Sequence, residues 1–191
     1  NSAGYYDLSW REPADIDWAV IQDIGWLKKT EGILSKNIDP NKNTLEAFSE
    51  SSKGGTLNFS SGNNIIVADG QAKTLRGLDG DDTYFISNLL PKNSSMTIID
   101  TSGINIIQIP SNTQVAKSQW AKDTVRLTFE DSRVITVNNA DTFTYNIGGN
   151  VTSGAAGTDL TFSEFGFLFG INDISNMSGS SLGSEVDMYI I

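Results

Sequence analysis

The apolar positions of this 191-residue chain fall into three zones. In residues 14–26, Ile16, Val20, Ile21 and Ile24 share one helical face. Asp15 and Asp17 favour the first turn and Gly25 is a C-terminal stop, so a short amphipathic helix is expected there. Residues 28–52 are polar and asparagine-rich, include Pro40, and read as a linker or covering loop. Short strands separated by glycine-bearing turns follow at 56–59, 64–68, 83–87, 96–99 and 105–109. Past residue 110 the pattern becomes antiparallel. Residues 124–129 and 134–137 flank the turn Glu130-Asp131-Ser132-Arg133 as a hairpin, and 142–147 is another strand, ended by Gly148-Gly149. Ser163 starts a helix of one to two turns through Phe169, weakened by Gly166. Its phenylalanines are expected to cap the open end of the β-core, with a ligand groove as the alternative.

The central zone repeats. Gly77-Leu78-Asp79-Gly80-Asp81-Asp82 runs directly into Thr83-Tyr84-Phe85. Eighteen positions before Gly80, Gly62-Asn63-Asn64 leads into Ile65-Ile66-Val67. Twenty-three positions after it, Gly103-Ile104-Asn105 leads into Ile106-Ile107, preceded by Asp100-Thr101-Ser102. Asn64, Asp82 and Asn105 therefore occupy corresponding places, each just before a strand. A period near eighteen fits one coil of a β-roll made from nine-residue half-coils. The expected fold is all-β: a short parallel β-roll followed by antiparallel strands, with a short N-terminal helix and a small C-terminal helix. Residues 1–53 would be the end of an upstream domain plus linker, 54–110 the roll, and 111–191 an antiparallel end module.

Asp79, Asp81 and Asp82 put three carboxylates within a few residues, and these repel one another unless a cation sits among them. The chain contains no histidine and no cysteine, so the available ligands are oxygens, which select a hard cation such as Ca²⁺. Candidate ligands are Gly77, Asp79, Gly80 and Asp82 in the turn, with Asn64, Asp100 and Asn105 from its echoes. The alternative is a merely solvated turn. A net charge of −10 argues against nucleic acid and anionic membrane as partners. No apolar run reaches the length of a membrane span, and disulfides are excluded. Glu130 and Asp131, the adjacent carboxylates that could act as acid and base, sit in a hairpin turn and read as solvated.

Gly77, Gly80, Asp82 and Tyr84 match the nonapeptide Gly-Gly-x-Gly-x-Asp-x-apolar-x, with Leu78 in place of its second glycine. The chain in this respect resembles the RTX (haemolysin-type calcium-binding repeat) family. The likeness covers roughly residues 54–191, with Asn64 and Asn105 departing from the aspartate of the repeat. It implies calcium-binding turns, one or two of them occupied. The ending Glu185-Val186-Asp187-Met188-Tyr189-Ile190-Ile191 resembles the uncleaved address of type I secreted proteins, which implies a secretion transporter as partner and an extracellular or cell-surface location. An edge strand is the plainer reading of that segment. Asp15 to Trp26 resembles the final helix of metzincin-type metallopeptidase domains, after which serralysin-like members carry an RTX roll. Without histidine this chain cannot hold a catalytic zinc, so any protease centre would lie upstream of Asn1.

The function expected from the sequence is therefore non-enzymatic. It is a calcium-binding C-terminal module that folds on export and carries the secretion signal of a bacterial extracellular protein, a metalloprotease precursor. The alternative is a surface-layer or adhesin module that assembles with other chains.

Overall fold

A computed structural model describes residues 43–47, 55–59, 61–68, 73–86, 90, 92–149, 156–177 and 184–190. The helix expected at 14–26 lies outside them, as does most of the expected linker. The described strands are β1 (Asn43–Ala47), β2 (Thr56–Asn58), β3 (Asn63–Ala68), β4 (Thr74–Arg76), β5 (Thr83–Ile86), β6 (Ser95–Ile99), β7 (Asn105–Pro110), β8 (Gln114–Trp120), β9 (Thr124–Phe129), β10 (Val134–Asn138), β11 (Phe143–Gly149), β12 (Thr158–Leu160) and β13 (Ser184–Ile190). Among the described residues one α-helix, α1 (Phe162–Leu168), joins them.

The strands form two sheets, ordered β1-β3-β5-β7-β11-β12 and β13-β8-β9-β10-β6-β4-β2. From β2 onward the chain steps from one sheet to the other and back, so β2–β3, β4–β5, β6–β7 and β10–β11 are successive coils of a roll. Strands of neighbouring coils pair in parallel within each sheet. Along the strands, residues of successive coils point inward at the same height. In the first sheet Ile66, Tyr84, Ile107 and Tyr145 stand in register and are buried. In the second, Leu75, Ile98 and Val137 do the same. Stacked columns let each coil bury its apolar face against the next, which no single coil of three- to seven-residue strands achieves alone.

The strands β4 and β8 were not expected, and two features of the topology also depart from the sequence expectation. Residues 43–47, within the expected linker, form β1 and add a parallel strand to β3. The change from parallel to antiparallel pairing also does not fall at residue 110, because β10 and β11 go on pairing in parallel with β6 and β7. The expected hairpin is present, β9 against β10, but it sits inside the interval between Ile107 and Tyr145. Its second strand serves as a strand of the last coil. Strand β8 pairs antiparallel with β9, and β13 with β8, extending the second sheet to its edge.

Helix α1 closes the far end of the stack. Thr161 caps it: its side chain accepts from the Glu164 N–H while the Glu164 carboxylate accepts from the Thr161 N–H, a reciprocal capping box that starts the helix two residues earlier than a cap at Ser163 would. Phe162, Phe165 and Phe169 surround the Trp120 ring at centroid distances of 5.4, 5.6 and 5.4 Å. Phe165 also stacks on Tyr145 at 4.4 Å, with the rings 11° from parallel. The phenylalanines are packed ring to ring, as a cap and not as the lining of a groove. Gly166 packs against Ile174, whose Cδ1 would have to shift to admit a Cβ at that position. Phe167, on the opposite face, is 54% exposed. Phe165→Ala should therefore cost about 3–5 kcal/mol in denaturant unfolding, whereas Phe167→Ala should change stability by less than about 0.5 kcal/mol. Equal effects of the two would show that the cap does not hold the roll closed.

Candidate metal centre

The turns that precede β3, β5 and β7 stack so closely that only hydrogen fits at Gly80 and Gly103. Gly80 and Gly103 have φ of +107° and +84°. A Cβ on Gly80 would meet the Gly62 carbonyl oxygen at 2.5 Å, and one on Gly103 would meet the Gly80 carbonyl oxygen at 1.7 Å. At this separation the turn N–H groups are satisfied by side chains of the adjacent coil. On the outer side, the Asp81 N–H donates to Asn63 Oδ1 and the Ile104 N–H to Asp81 Oδ1, both at 2.8 Å. On the inner side, the Asn64 N–H donates to Asp82 Oδ1 at 2.7 Å and the Asp82 N–H to Asn105 Oδ1 at 2.9 Å. Asn64, Asp82 and Asn105 thus form one buried column, as their spacing implies.

Asp82 differs from its two asparagine neighbours by its charge and by what its second oxygen meets. The residue is 0% exposed, and no protein donor reaches Oδ2. Oδ2 instead faces Asp100, itself 2% exposed and contributed by the next coil. Asp82 Oδ2 and Asp100 Oδ2 lie 1.9 and 2.4 Å from one point, the place a Cβ on Gly77 would take. Glycine at 77 is therefore what allows the two carboxylates to meet. Asp100 is held on both oxygens: Tyr84 Oη donates to Oδ2 at 2.7 Å and the Ser102 N–H reaches Oδ1 at 3.3 Å. Burial, with the Asp100 charge adding to it and the Asn64 hydrogen bonds opposing, pushes the Asp82 carboxyl up to about 7. Burial and the two nearby carboxylates also hold the Tyr84 phenol well above its usual value.

The seven sequence-predicted ligands thus separate. Asn64, Asp82 and Asn105 share the inner column, while Gly77 and Asp100 adjoin Asp82 across the coil boundary. Gly80 packs against the neighbouring turn. Asp79 is exposed and stands apart. Alternation turns Asp81 outward and Asp82 inward, so Asp79, Asp81 and Asp82 do not converge into a three-carboxylate cage. Among the described residues no cluster of three or more acidic side chains is present. What converges is a pair, Asp82 and Asp100, with an all-oxygen donor set and a buried oxygen lacking a donor, and this combination fits a hard cation. Tyr84 went unrecognised as a site residue because its strand position marks it as core. Only its hydroxyl distinguishes it from an apolar residue there.

The chain matches no known family model, no curated protein and no solved structure. Among the described residues no helix is long and apolar enough to cross a membrane.

The raised Asp82 value fixes the sign of a pH effect in the cation-free protein. A carboxyl that binds its proton more tightly when folded stabilises the fold fully below its unfolded value near 3.8 and loses that contribution as pH rises towards about 7. In chelator, wild-type protein should unfold more readily at pH 8 than at pH 5. Asp82→Asn keeps the Asn64 hydrogen bond and offers an N–H to Asp100. It should flatten that slope and raise stability at pH 8 by about 1–3 kcal/mol. Chemical denaturation at both pH values measures it, and an unaltered slope in the variant would show that the pair is not the source.

Proposed function

We propose that this chain is a calcium-dependent folding module of an exported protein, of the haemolysin-type repeat class, in which Asp82 and Asp100 hold the ion. The observation that carries this reading is the buried, donor-free Oδ2 of Asp82 facing a second buried carboxylate, in a chain of net charge −10. Two carboxylates in one dry site repel, and the pair links two successive coils, so the repulsion opposes the stacking on which the roll depends. A bound Ca²⁺ supplies the positive charge that reverses this repulsion. At submicromolar cytosolic calcium the Asp82–Asp100 contact disfavours closure of the coils, which suits export as an unfolded chain. Extracellular modules bind Ca²⁺ at about 10⁻⁴–10⁻³ M, so the same two side chains favour closure outside the cell.

In this reading the C-terminal residues 185–191 are the address taken by a type I transporter while the chain is unfolded. The backbone pairing of β13 (Ser184–Ile190) along β8 follows once the sheet has formed. A metallopeptidase domain upstream is the passenger that the 14–26 segment implies. The module itself performs no catalysis.

Far-ultraviolet circular dichroism and thermal unfolding, in Ca²⁺ or in excess chelator, test the proposal. Calcium at about 100 times its dissociation constant should stabilise the fold by about 2.7 kcal/mol, which at this size raises the melting midpoint by roughly 5–11 °C. Identical midpoints in calcium and chelator, with no calcium retained by metal analysis, would sink it. Calcium-driven growth in particle mass by light scattering would favour a surface-layer or adhesin module instead.

A further inference from the structure

The hydrogen bonds around Asp100 have only one self-consistent direction. The Gly77 N–H donates to Tyr84 Oη at 2.6 Å, so that oxygen is already an acceptor. A phenol has one proton, and the other short contact of Tyr84 Oη is with Asp100 Oδ2 at 2.7 Å. The hydroxyl proton is therefore committed to Asp100 Oδ2, which accepts it. The Ser102 N–H occupies the other oxygen of Asp100. On the opposite side, Asp82 Oδ1 is occupied by Asn64. Of the four carboxylate oxygens, Asp82 Oδ2 alone is left without a donor. The chain of contacts joins the turn before β5, the strand β5 and the segment after β6, so it crosses from one coil to the next.

We propose that Tyr84 is the positioning residue of the cation site: through the relay Gly77 N–H to Tyr84 Oη to Asp100 Oδ2, it fixes the Asp100 carboxylate against Asp82 and makes cation binding dependent on two correctly stacked coils. This rests on the reading of Asp82 and Asp100 as the ligand pair. The repeat pattern asks only for an apolar residue at position 84, whereas the structure uses the polar tip of a side chain whose ring is buried edge-on to Phe143 at 6.0 Å. Groups that orient a ligating side chain without touching the metal commonly contribute about 10- to 100-fold to affinity.

The test is calcium titration calorimetry on the full chain, with thermal unfolding in chelator run in parallel. Tyr84→Phe retains the ring and removes the relay, and it should weaken calcium binding by about 10- to 100-fold. Asp100→Asn keeps an oxygen for the Tyr84 hydroxyl but removes the charge. It should abolish measurable binding while the chelated protein remains folded. A purely structural hydroxyl would lower the melting midpoint equally with and without calcium and leave the affinity of Tyr84→Phe unchanged. That result overturns the inference and leaves the proposed function standing. Wild-type protein that binds no calcium overturns both. Should Tyr84→Phe fail to fold, Asp100→Asn decides, because wild-type affinity in that variant removes Asp100, and with it the relay, from the site.

Discussion

Close stacking of turns is the constraint from which the rest follows. At the separation of the Gly80 and Gly103 turns, the N–H groups of Asn64, Asp81, Asp82 and Ile104 each meet a side-chain acceptor from the neighbouring coil. Asparagine and aspartate are short enough to reach one coil over, and they recur at this height for that reason. The outer ladder through Asn63 and Asp81 and the inner ladder through Asn64, Asp82 and Asn105 run in opposite senses. Each coil is thereby tied to its neighbour on both sides of the turn.

Against that background a carboxylate in the inner column is anomalous. Asparagine does the ladder's work at 105, accepting the Asp82 N–H, and at 82 it would do so without a buried charge. Aspartate there adds electrostatic cost in isolation, and the cost grows with Asp100 beside it. A position that is worse for folding alone and better with a counter-charge is what a folding step conditional on its surroundings requires. Tyr84 belongs to the same logic, because it holds one member of the pair in place from the core side.

Much of this was legible in the sequence, for identifiable reasons. Strands β9 and β10 alternate apolar and polar positions, β5 and β7 are rich in β-branched and aromatic residues, and the recurrence of Asn64, Asp82 and Asn105 marks the inner column. Strand β4 was invisible because Thr-Leu-Arg contains a single apolar position. Strand β8 was hidden because Lys117, Ser118 and Gln119 interrupt its alternation. There Ser118 is buried through its hydroxyl, which accepts from Trp120 Nε1 at 2.8 Å. At the site, spacing could show which residues share a height but not which side chains meet across coils. Asp100 stands one coil on from Gly77, and only the missing side chain of that glycine brings Asp100 to Asp82.

The aromatic plug formed by Trp120, Tyr145 and helix α1 gives the roll a direction. A rung whose inner face is covered by Phe165 offers no template for another, so the stack is sealed at that terminus. Tandem duplication of the eighteen-residue unit could lengthen the molecule upstream, where Ile66 and Tyr84 already repeat at that interval, without disturbing the seal. The protein is thus built like a column with a fixed capital and an adjustable shaft.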